Sequence, residues 1–163
     1  MSKNFLIAVG AGLVCVAILL VGIFYMQKGA HVVVSGQILK VRTVPLSDSA
    51  SLVVLDFRVT NPADYAFLTR KVTAIFEDAA GNRTEGLTAS ELDAQHIFQG
   101  IPMLGEKYNP TLIVNDEVAP RSTLDRMVAA RFEMPDATLQ GRKRFVVRIE
   151  EKNRGEAFEI SEK

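Results

Sequence analysis

The first strong pattern along the chain is an apolar run near its amino terminus. Residues 5–26 read FLIAVGAGLVCVAILLVGIFYM and contain no charged side chain, no amide side chain and no proline. A helix of this length, rising about 1.5 Å per residue, matches the roughly 30 Å hydrocarbon core of a bilayer. The run is apolar on every side, whereas a helix on the surface of a small domain needs a polar face. The sequence therefore predicts a short tail over 1–4, a single transmembrane helix over 5–26 and a linker over 27–30.

Two alternatives compete with an uncleaved anchor. A cleaved signal peptide has an apolar region of about 7–15 residues before a small-x-small cleavage site, and this run is longer and lacks a convincing site. A lipidated cysteine would have to be Cys15, which lies in the middle of the run and follows Val14 rather than a small residue. We therefore predict an uncleaved anchor, in which Ala8 and Gly12 form a small-x-x-x-small pair suited to packing against another membrane helix.

The charges that flank the apolar run and the type of domain that follows it favour opposite orientations in the membrane. Positive side chains favour the cytoplasmic side of a membrane. Lys3 precedes the apolar run, whereas Lys28, Lys40 and Arg42 follow it, so the charge count places the domain in the cytoplasm. An N-terminal anchor followed by one compact β-rich domain, however, usually places that domain outside. We expect an extracytoplasmic, periplasmic domain on the cell membrane.

After the linker, strand-like alternation recurs at short intervals. Residues 52–60 alternate most cleanly, with an apolar face and a polar face: Val53, Leu55, Phe57 and Val59 against Asp56, Arg58 and Thr60. Further strands are predicted at 31–43, 67–78, 83–87, 111–114, 122–133, 144–150 and 156–160, with turns at 45–51 and at Asn61-Pro62 and one helical turn over 135–141. This series predicts a mainly β, immunoglobulin-like antiparallel β-sandwich over 31–163. A small barrel is the alternative.

One inserted helix interrupts the strand series. Thr88 and Glu91 resemble a capping box, Leu92 and His96 follow at helical spacing, and Gly100 ends the helix. The irregular segment 101–109 comes next, and long loops inside compact domains are usually functional or disordered. Its apolar side chains either fold over one end of the sandwich or contact a protein partner. The second possibility makes four residues candidates for protein interaction: Ile101, Met103, Leu104 and Tyr108.

Composition excludes several function classes without naming one. The chain has 19 basic and 19 acidic residues, so no strong positive field attracts nucleic acid. Cys15 is the only cysteine, which excludes a disulfide in the domain and the usual thiol-based zinc sites. The sequence also lacks the motifs of a nucleophile elbow, a zinc metalloprotease, a P-loop and a dinucleotide-binding loop.

Few side chains remain as candidates for chemistry. His31 and His96 lie far apart, and we expect a surface His31 and a half-buried His96 rather than a metal pair. The basic cluster Arg142, Lys143 and Arg144 either contacts acidic lipid headgroups or forms a solvated turn. We therefore expect no enzymatic activity, no catalytic residue, no metal, no cofactor and no small-molecule substrate.

Three segments together resemble the late-embryogenesis-abundant type 2 domain. They are the strand 55–62, which ends in Asn61-Pro62, a charged hairpin that contains Gly81, and 119–122 leading into 127–132. The likeness covers roughly residues 35–150, and the helix at 88–99 and the loop at 101–110 are additions to the family pattern. The resemblance implies an immunoglobulin-like or fibronectin-like sandwich, often membrane-anchored, with no catalytic residues and a protective or binding role.

Two functions of different classes are consistent with these observations. In the first, the chain is a non-enzymatic, single-pass accessory or structural subunit of a larger membrane complex. Its partners are then the lipid bilayer and an integral-membrane protein. In the alternative, it is a free-standing envelope module that protects against stress or binds a ligand, as the late-embryogenesis-abundant type 2 resemblance implies. Detergent extraction followed by sizing separates the two, because a subunit migrates with other chains.

Overall fold

The computed structural model describes residues 12–22 and 34–162, in two units divided between Val32 and Val33. In the first unit, residues 12–22 form helix α1, and their side chains are exposed. No helix within the described ranges combines the length and the hydropathy needed to cross a bilayer. The tail 1–4, most of the predicted span 5–26 and the linker 27–30 lie outside these ranges, so the transmembrane helix stays a prediction.

The second unit consists of antiparallel sheets and short helical segments. In chain order the elements are β1 (Ser35–Ser47), β2 (Ala50–Asn61), β3 (Phe67–Glu77), β4 (Arg83–Glu85), β5 (Leu87–Thr88), α2 (Glu91–Gly100), a 3₁₀ helix (Pro102–Leu104), β6 (Glu117–Val118), β7 (Ser122–Phe132), α3 (Asp136–Gln140), β8 (Arg144–Glu151) and β9 (Ala157–Ser161). The first sheet has the order β1-β2-β7-β5, and the second has the order β4-β3-β8-β9, with β6 paired to the start of β3. The prediction of a mainly β domain with two antiparallel sheets is confirmed.

The two sheets face each other across one apolar core. The apolar face predicted for β2 is confirmed, since four alternate side chains are fully buried there: Val53, Leu55, Phe57 and Val59. Aromatic rings connect the two sheets, with the Phe132 ring of β7 centred 6.0 Å from the Phe145 ring of β8. Complete burial of one such side chain is worth about 1.5–3 kcal/mol, so this layer supplies much of the stability.

The opposite face of β2 is also buried, which the alternating pattern did not predict. Leu52 and Asp56 are 3% exposed and Val54 is fully buried, although all three point away from the main core. Helix α2 and the segment after it cover this face of the first sheet. Together they form a second apolar cluster, the outer cluster: Val44, Leu52, Val54, Ala94, Leu104, Met127 and Ala129.

Helix α2 occurs where it was predicted, but its cap and its buried face differ. Ser90 is the N-cap instead of Thr88, because the Ser90 hydroxyl accepts a hydrogen bond from the Asp93 amide at 3.1 Å. Leu92 and His96 are exposed, so the half-buried position expected for His96 is wrong. The helix and its C-cap instead pack residues spaced by three and four positions onto the sheet: Ala94, Ile97, Phe98 and Ile101.

Two other segments also differ from the prediction. The turn predicted over 45–51 is shorter, because β1 continues to Ser47 and β2 begins at Ala50. Residues 111–114 are not a strand, and Thr111 forms only an isolated parallel bridge with Met127. The Met127 amide donates a hydrogen bond to the Pro110 carbonyl, and the Met127 carbonyl accepts one from the Leu112 amide, where the chain crosses the edge of β7. The other predicted strands and the helical turn over 135–141 are present, apart from residues 31–33, which lie outside the described ranges.

A buried ion pair joins the first sheet to its cover. Arg42 Nη2 lies 2.6 Å from Asp56 Oδ2, and the two side chains are 9% and 4% exposed. Arg42 also donates hydrogen bonds to the carbonyl oxygens of Leu104 and Glu106, at 2.8 Å each. The side-chain amide of Asn109 donates to the other Asp56 oxygen at 2.9 Å. The pair therefore fastens residues 104–109 to β1 and β2.

Removing one member of this pair should destabilise the domain more than replacing both. Arg42→Ala leaves the Asp56 carboxylate buried without its cation, and breaking a buried pair in this way costs about 3–5 kcal/mol. The double variant Arg42→Met with Asp56→Leu replaces the pair by apolar side chains and should recover most of that loss. Urea unfolding of the full-length chain, followed by circular dichroism, measures both variants. Equal losses in the single and double variants would contradict this account of the cover.

Candidate functional site

A cavity of about 540 Å³ opens at one side of the sandwich, between β3 of the second sheet and β7 of the first. Two largely buried side chains line its inner part, Val72 of β3 and Val128 of β7, which are 7% and 1% exposed. The rest of the lining comes from Lys71, from residues 88–92, which lead from β5 into α2, and from residues 112–114. The volume lies within the range of about 300–1,000 Å³ that is common for binding pockets.

Large apolar side chains are exposed around this cavity. Leu92 is 61% exposed, Val114 57% and Ile113 40%. A single exposed apolar side chain is ordinary, but a group of them around a cavity is typical of a binding surface. We call the cavity together with these three side chains the apolar groove.

A hydrogen-bonded carboxylate positions the lining of the apolar groove. Glu91 accepts hydrogen bonds from Lys107 Nζ and the Thr111 amide, at 2.8 Å each, and from Gln95 at 3.1 Å. Burial opposes ionisation, but the bonds from Lys107 and Thr111 outweigh it and lower the pKa of Glu91 to about 2. Glu91 therefore ties the start of α2 to the chain that leads into residues 112–114.

The structure separates the four side chains predicted to contact a partner. Leu104 is 3% exposed and belongs to the outer cluster, and Ile101 packs against the same cluster. Met103 is 82% exposed and Tyr108 is 60% exposed. The loop therefore covers the outer face of the first sheet, not one end of the sandwich, and leaves only two of the four side chains accessible.

Tyr108 is exposed but already engaged by neighbouring cations. The Lys40 ammonium lies 5.0 Å from the centre of the Tyr108 ring, and the Arg42 guanidinium lies 5.5 Å from it. Contacts of this kind are worth about 0.5–1 kcal/mol at exposed sites. Tyr108 thus helps to hold the cover on the sheet, which makes it a weaker candidate for partner contact than the side chains of the apolar groove.

The basic cluster 142–144 is matched by carboxylates. Arg142 pairs with Glu162, and Lys143 and Arg144 both pair with Glu77, each at 2.9 Å. Hydrogen bonds from Lys143 and Arg144 lower the pKa of Glu77 to about 2 in spite of its burial. These pairs leave little uncompensated positive charge for a lipid headgroup.

The remaining predicted positions lie in or next to the first unit. Gly12 is part of α1, and a Cβ added there would meet nothing within 4 Å. Ala8 lies outside the described residues, so the proposed helix-packing pair stays a prediction. Across 12–22 and 34–162, no group of three or more histidine, cysteine, aspartate or glutamate side chains is arranged to hold a metal ion.

The sequence analysis did not predict the apolar groove. Residues 111–114 were interpreted as a strand, which would have buried Ile113 or Val114 inside a sheet. Leu92 was placed with His96 at helical spacing, and His96 was expected to be half-buried. The available signal was the stripe formed by Ala94, Ile97 and Phe98, which places Leu92 on the opposite, exposed side of the helix.

Comparisons with known proteins leave the function open. No protein-family model matches the chain, and no curated protein matches it. One similar solved structure is the Northeast Structural Genomics Consortium target SoR45, with a TM-score of 0.34 and 14% identity over 82% of this chain and 81% of that one. Another is an uncharacterized β-sandwich protein from Clostridium difficile 630, with a TM-score of 0.32 and 14% identity over 82% of each chain. Similarity at these TM-scores is too weak to assign a fold, so the fold is assigned from the two sheets of the chain itself.

Separate substitutions in the loop should distinguish packing from exposure. Leu104→Ser empties a site in the outer cluster, and truncation of a buried leucine costs about 2–5 kcal/mol. Tyr108→Ser removes an exposed ring with its cation contacts and should cost about 1 kcal/mol or less. Urea unfolding of both variants measures the difference. A loss for Tyr108→Ser as large as that for Leu104→Ser would show that the exposed ring is part of the core.

Glu91 should make the domain less stable in acid. Its pKa is lowered from 4.5 to about 2 in the folded chain, so its stabilising effect is complete above pH 4.5 and is lost as the pH falls towards 2. Glu91→Gln should therefore flatten the dependence of the unfolding free energy on pH between 4.5 and 2. Urea titrations across that interval measure it, with Glu106→Gln as the control because only the backbone carbonyl of Glu106 is hydrogen-bonded. An unchanged slope in Glu91→Gln would contradict the role given to these hydrogen bonds.

Proposed function

We propose that the chain is a non-enzymatic, single-pass membrane protein whose β-domain binds another protein, as an accessory or structural subunit of a larger membrane complex. The apolar run 5–26 supplies the anchor, and the helical state of residues 12–22 supports a helix there. We place the domain on the extracytoplasmic side, next to the bilayer. An integral-membrane protein is the partner that such an anchor brings within reach.

The order of the strands supports an immunoglobulin-like classification of the domain. An immunoglobulin constant-type domain has the order A-B-E-D in one sheet and C-F-G in the other. When β1, β2, β3, β4 and β5 are lettered A, B, C, C′ and D, and β7, β8 and β9 are lettered E, F and G, the first sheet becomes A-B-E-D and the second C′-C-F-G. This is the fold that the resemblance to the late-embryogenesis-abundant type 2 domain implies, and we propose it on that basis.

The apolar groove is the observation on which the binding role depends. Leu92, Ile113 and Val114 remain between 40% and 61% exposed although a packed core and an outer cluster lie beside them. Burying one such side chain in a contact is worth up to about 1.5–3 kcal/mol. A free-standing protective module has no use for a hydrophobic surface of this kind, whereas a subunit does.

Detergent extraction and sizing of the full-length chain test this proposal. The chain should resist alkaline carbonate extraction, leave the membrane only with detergent, and migrate in a complex larger than its own 17.9 kDa in a micelle. Leu92→Lys with Val114→Lys should dissociate the complex, because two ammonium groups would be desolvated at the contact.

The control replaces two partly exposed apolar side chains on strand β1, which does not line the cavity. Leu39 and Leu46 are 42% and 44% exposed, and Leu39→Lys with Leu46→Lys should leave the complex intact. A wild-type chain that migrates alone would contradict a role as a subunit. Equal dissociation by both pairs of substitutions would contradict the apolar groove as the contact surface.

A further inference from the structure

We infer that the apolar groove binds a short extended segment of the partner protein, which adds to the open edge of β3 as an extra strand. This inference rests on the proposed function and extends it, because it names the conformation and the chemistry of the partner segment. Three features carry it: a gap in the pairing of β3, the backbone of Val72 and the charges beside the gap.

The outer edge of β3 is paired at both ends and open between them. At its start β3 pairs with β6, and the Thr69 carbonyl accepts a hydrogen bond from the Asn115 amide at 2.8 Å. At its end β3 pairs with β4, and the Ala74 carbonyl accepts a hydrogen bond from the Gly86 amide at 2.9 Å. The stretch of β3 between Thr69 and Ala74 has no neighbouring strand on this side within residues 34–162.

Val72 presents its backbone to this gap. Backbone groups of successive strand residues point to alternate sides, so Val72 faces the same way as Ala74, away from β8. On that side, neither its N–H nor its carbonyl has a partner among the described residues. Val72 lines the cavity and is 7% exposed. In the free chain these two groups can pair only with water in the cavity, and a bound segment would take the place of that water with main-chain hydrogen bonds.

An extended peptide fits these features better than a hydrocarbon chain does. The apolar groove offers contacts for side chains, and Val72 offers one donor and one acceptor for a main chain. A hydrocarbon chain would fill the volume and leave both backbone groups unpaired. In strand addition, main-chain hydrogen bonds give affinity and side-chain contacts give specificity. The four positions between Thr69 and Ala74, at about 3.3 Å each, leave room for about four extended residues.

The charges beside the gap indicate what flanks those residues. Arg70 is exposed and makes no ion pair within the part of the chain that the structure describes. Lys71 is 55% exposed and has only a long contact with Glu85, at 3.6 Å. The carboxylate that lines the cavity, Glu91, is already bound to Lys107. The partner segment is therefore one with apolar side chains at alternate positions and an acidic residue beside them.

The blocked peptide acetyl-Glu-Val-Thr-Val-amide has this chemistry and length and is the probe. It is added at millimolar concentration to the full-length chain in phosphatidylcholine nanodiscs, and amide hydrogen exchange is followed by NMR. Before addition, the Val72 amide should exchange faster than that of Thr73, which faces β8. The peptide should slow exchange at Val72 by about tenfold or more, because the amide becomes hydrogen-bonded.

Two controls make the result specific. The same peptide with every backbone nitrogen methylated cannot donate to the Val72 carbonyl, and its N-methyl groups keep its main chain too far from β3 to accept from the Val72 N–H, so it should give no protection. Ile113→Lys should abolish the protection by the unmodified peptide, whereas Leu39→Lys, at a site of nearly equal exposure (42% against 40%), should preserve it.

Each other outcome overturns the inference in a distinguishable way. If both peptides shift the Ile113 and Val114 methyl signals without protecting Val72, the apolar groove binds apolar groups and not a strand. That result leaves the proposed function standing. If neither peptide changes either signal, strand addition at β3 is wrong. Failure of the proposed function itself would appear in the sizing experiment, as a wild-type chain that migrates alone.

Discussion

Asp56 is a carboxylate on the face of β2 that its alternating pattern assigns to solvent, yet it is 3% exposed. A carboxylate in that position must be paired, because an uncompensated buried charge costs several kcal/mol. Arg42 pairs with it from the neighbouring strand and uses its other donors on the carbonyl oxygens of Leu104 and Glu106. The segment after α2 therefore cannot leave the sheet without exposing the ion pair. This interaction therefore fixes residues 104–109 on the outer face of the first sheet.

The same cover explains why one side of the sandwich stays open. The chain between β5 and β6 is used to cover the outer face of the first sheet, so it does not extend either strand. As a result β5 ends at Thr88 and β6 begins only at Glu117. Within residues 34–162, the edge of β3 that lies beside this chain receives no further strand, and Val72 and Val128 line a cavity there. The Glu91–Lys107 ion pair then holds the start of α2 beside it.

The sequence pattern was sufficient to predict which side chains are buried where buried positions repeat regularly along one strand or helix. The alternation of β2 identified its core face, and the spacing of Ala94, Ile97 and Phe98 would have identified the buried face of α2 had the N-cap been placed at Ser90 instead of Thr88. The burial of Asp56 could not be predicted from local pattern, because its partners Arg42 and Asn109 come from distant parts of the chain and the residues around Asp56 in the sequence do not indicate them. The apolar groove is harder still, since it depends on which strand edge remains unpaired after both sheets have formed.

Helix α2 covers the outer face of the first sheet, whereas a cluster of charged side chains lies on the outer face of the second sheet. Ile75 and Val146 lie on that face and are 3% and 1% exposed, and three cations converge beside them on Glu77: Arg83, Lys143 and Arg144. Long basic side chains cover apolar surface with their stems while their charged ends remain near water. Both faces of the domain are thus occupied by its own residues. Among the described residues, exposed apolar side chains and unpaired backbone groups meet at the edge between β3 and β7. The proposed partner segment accordingly uses a strand edge and not a sheet face.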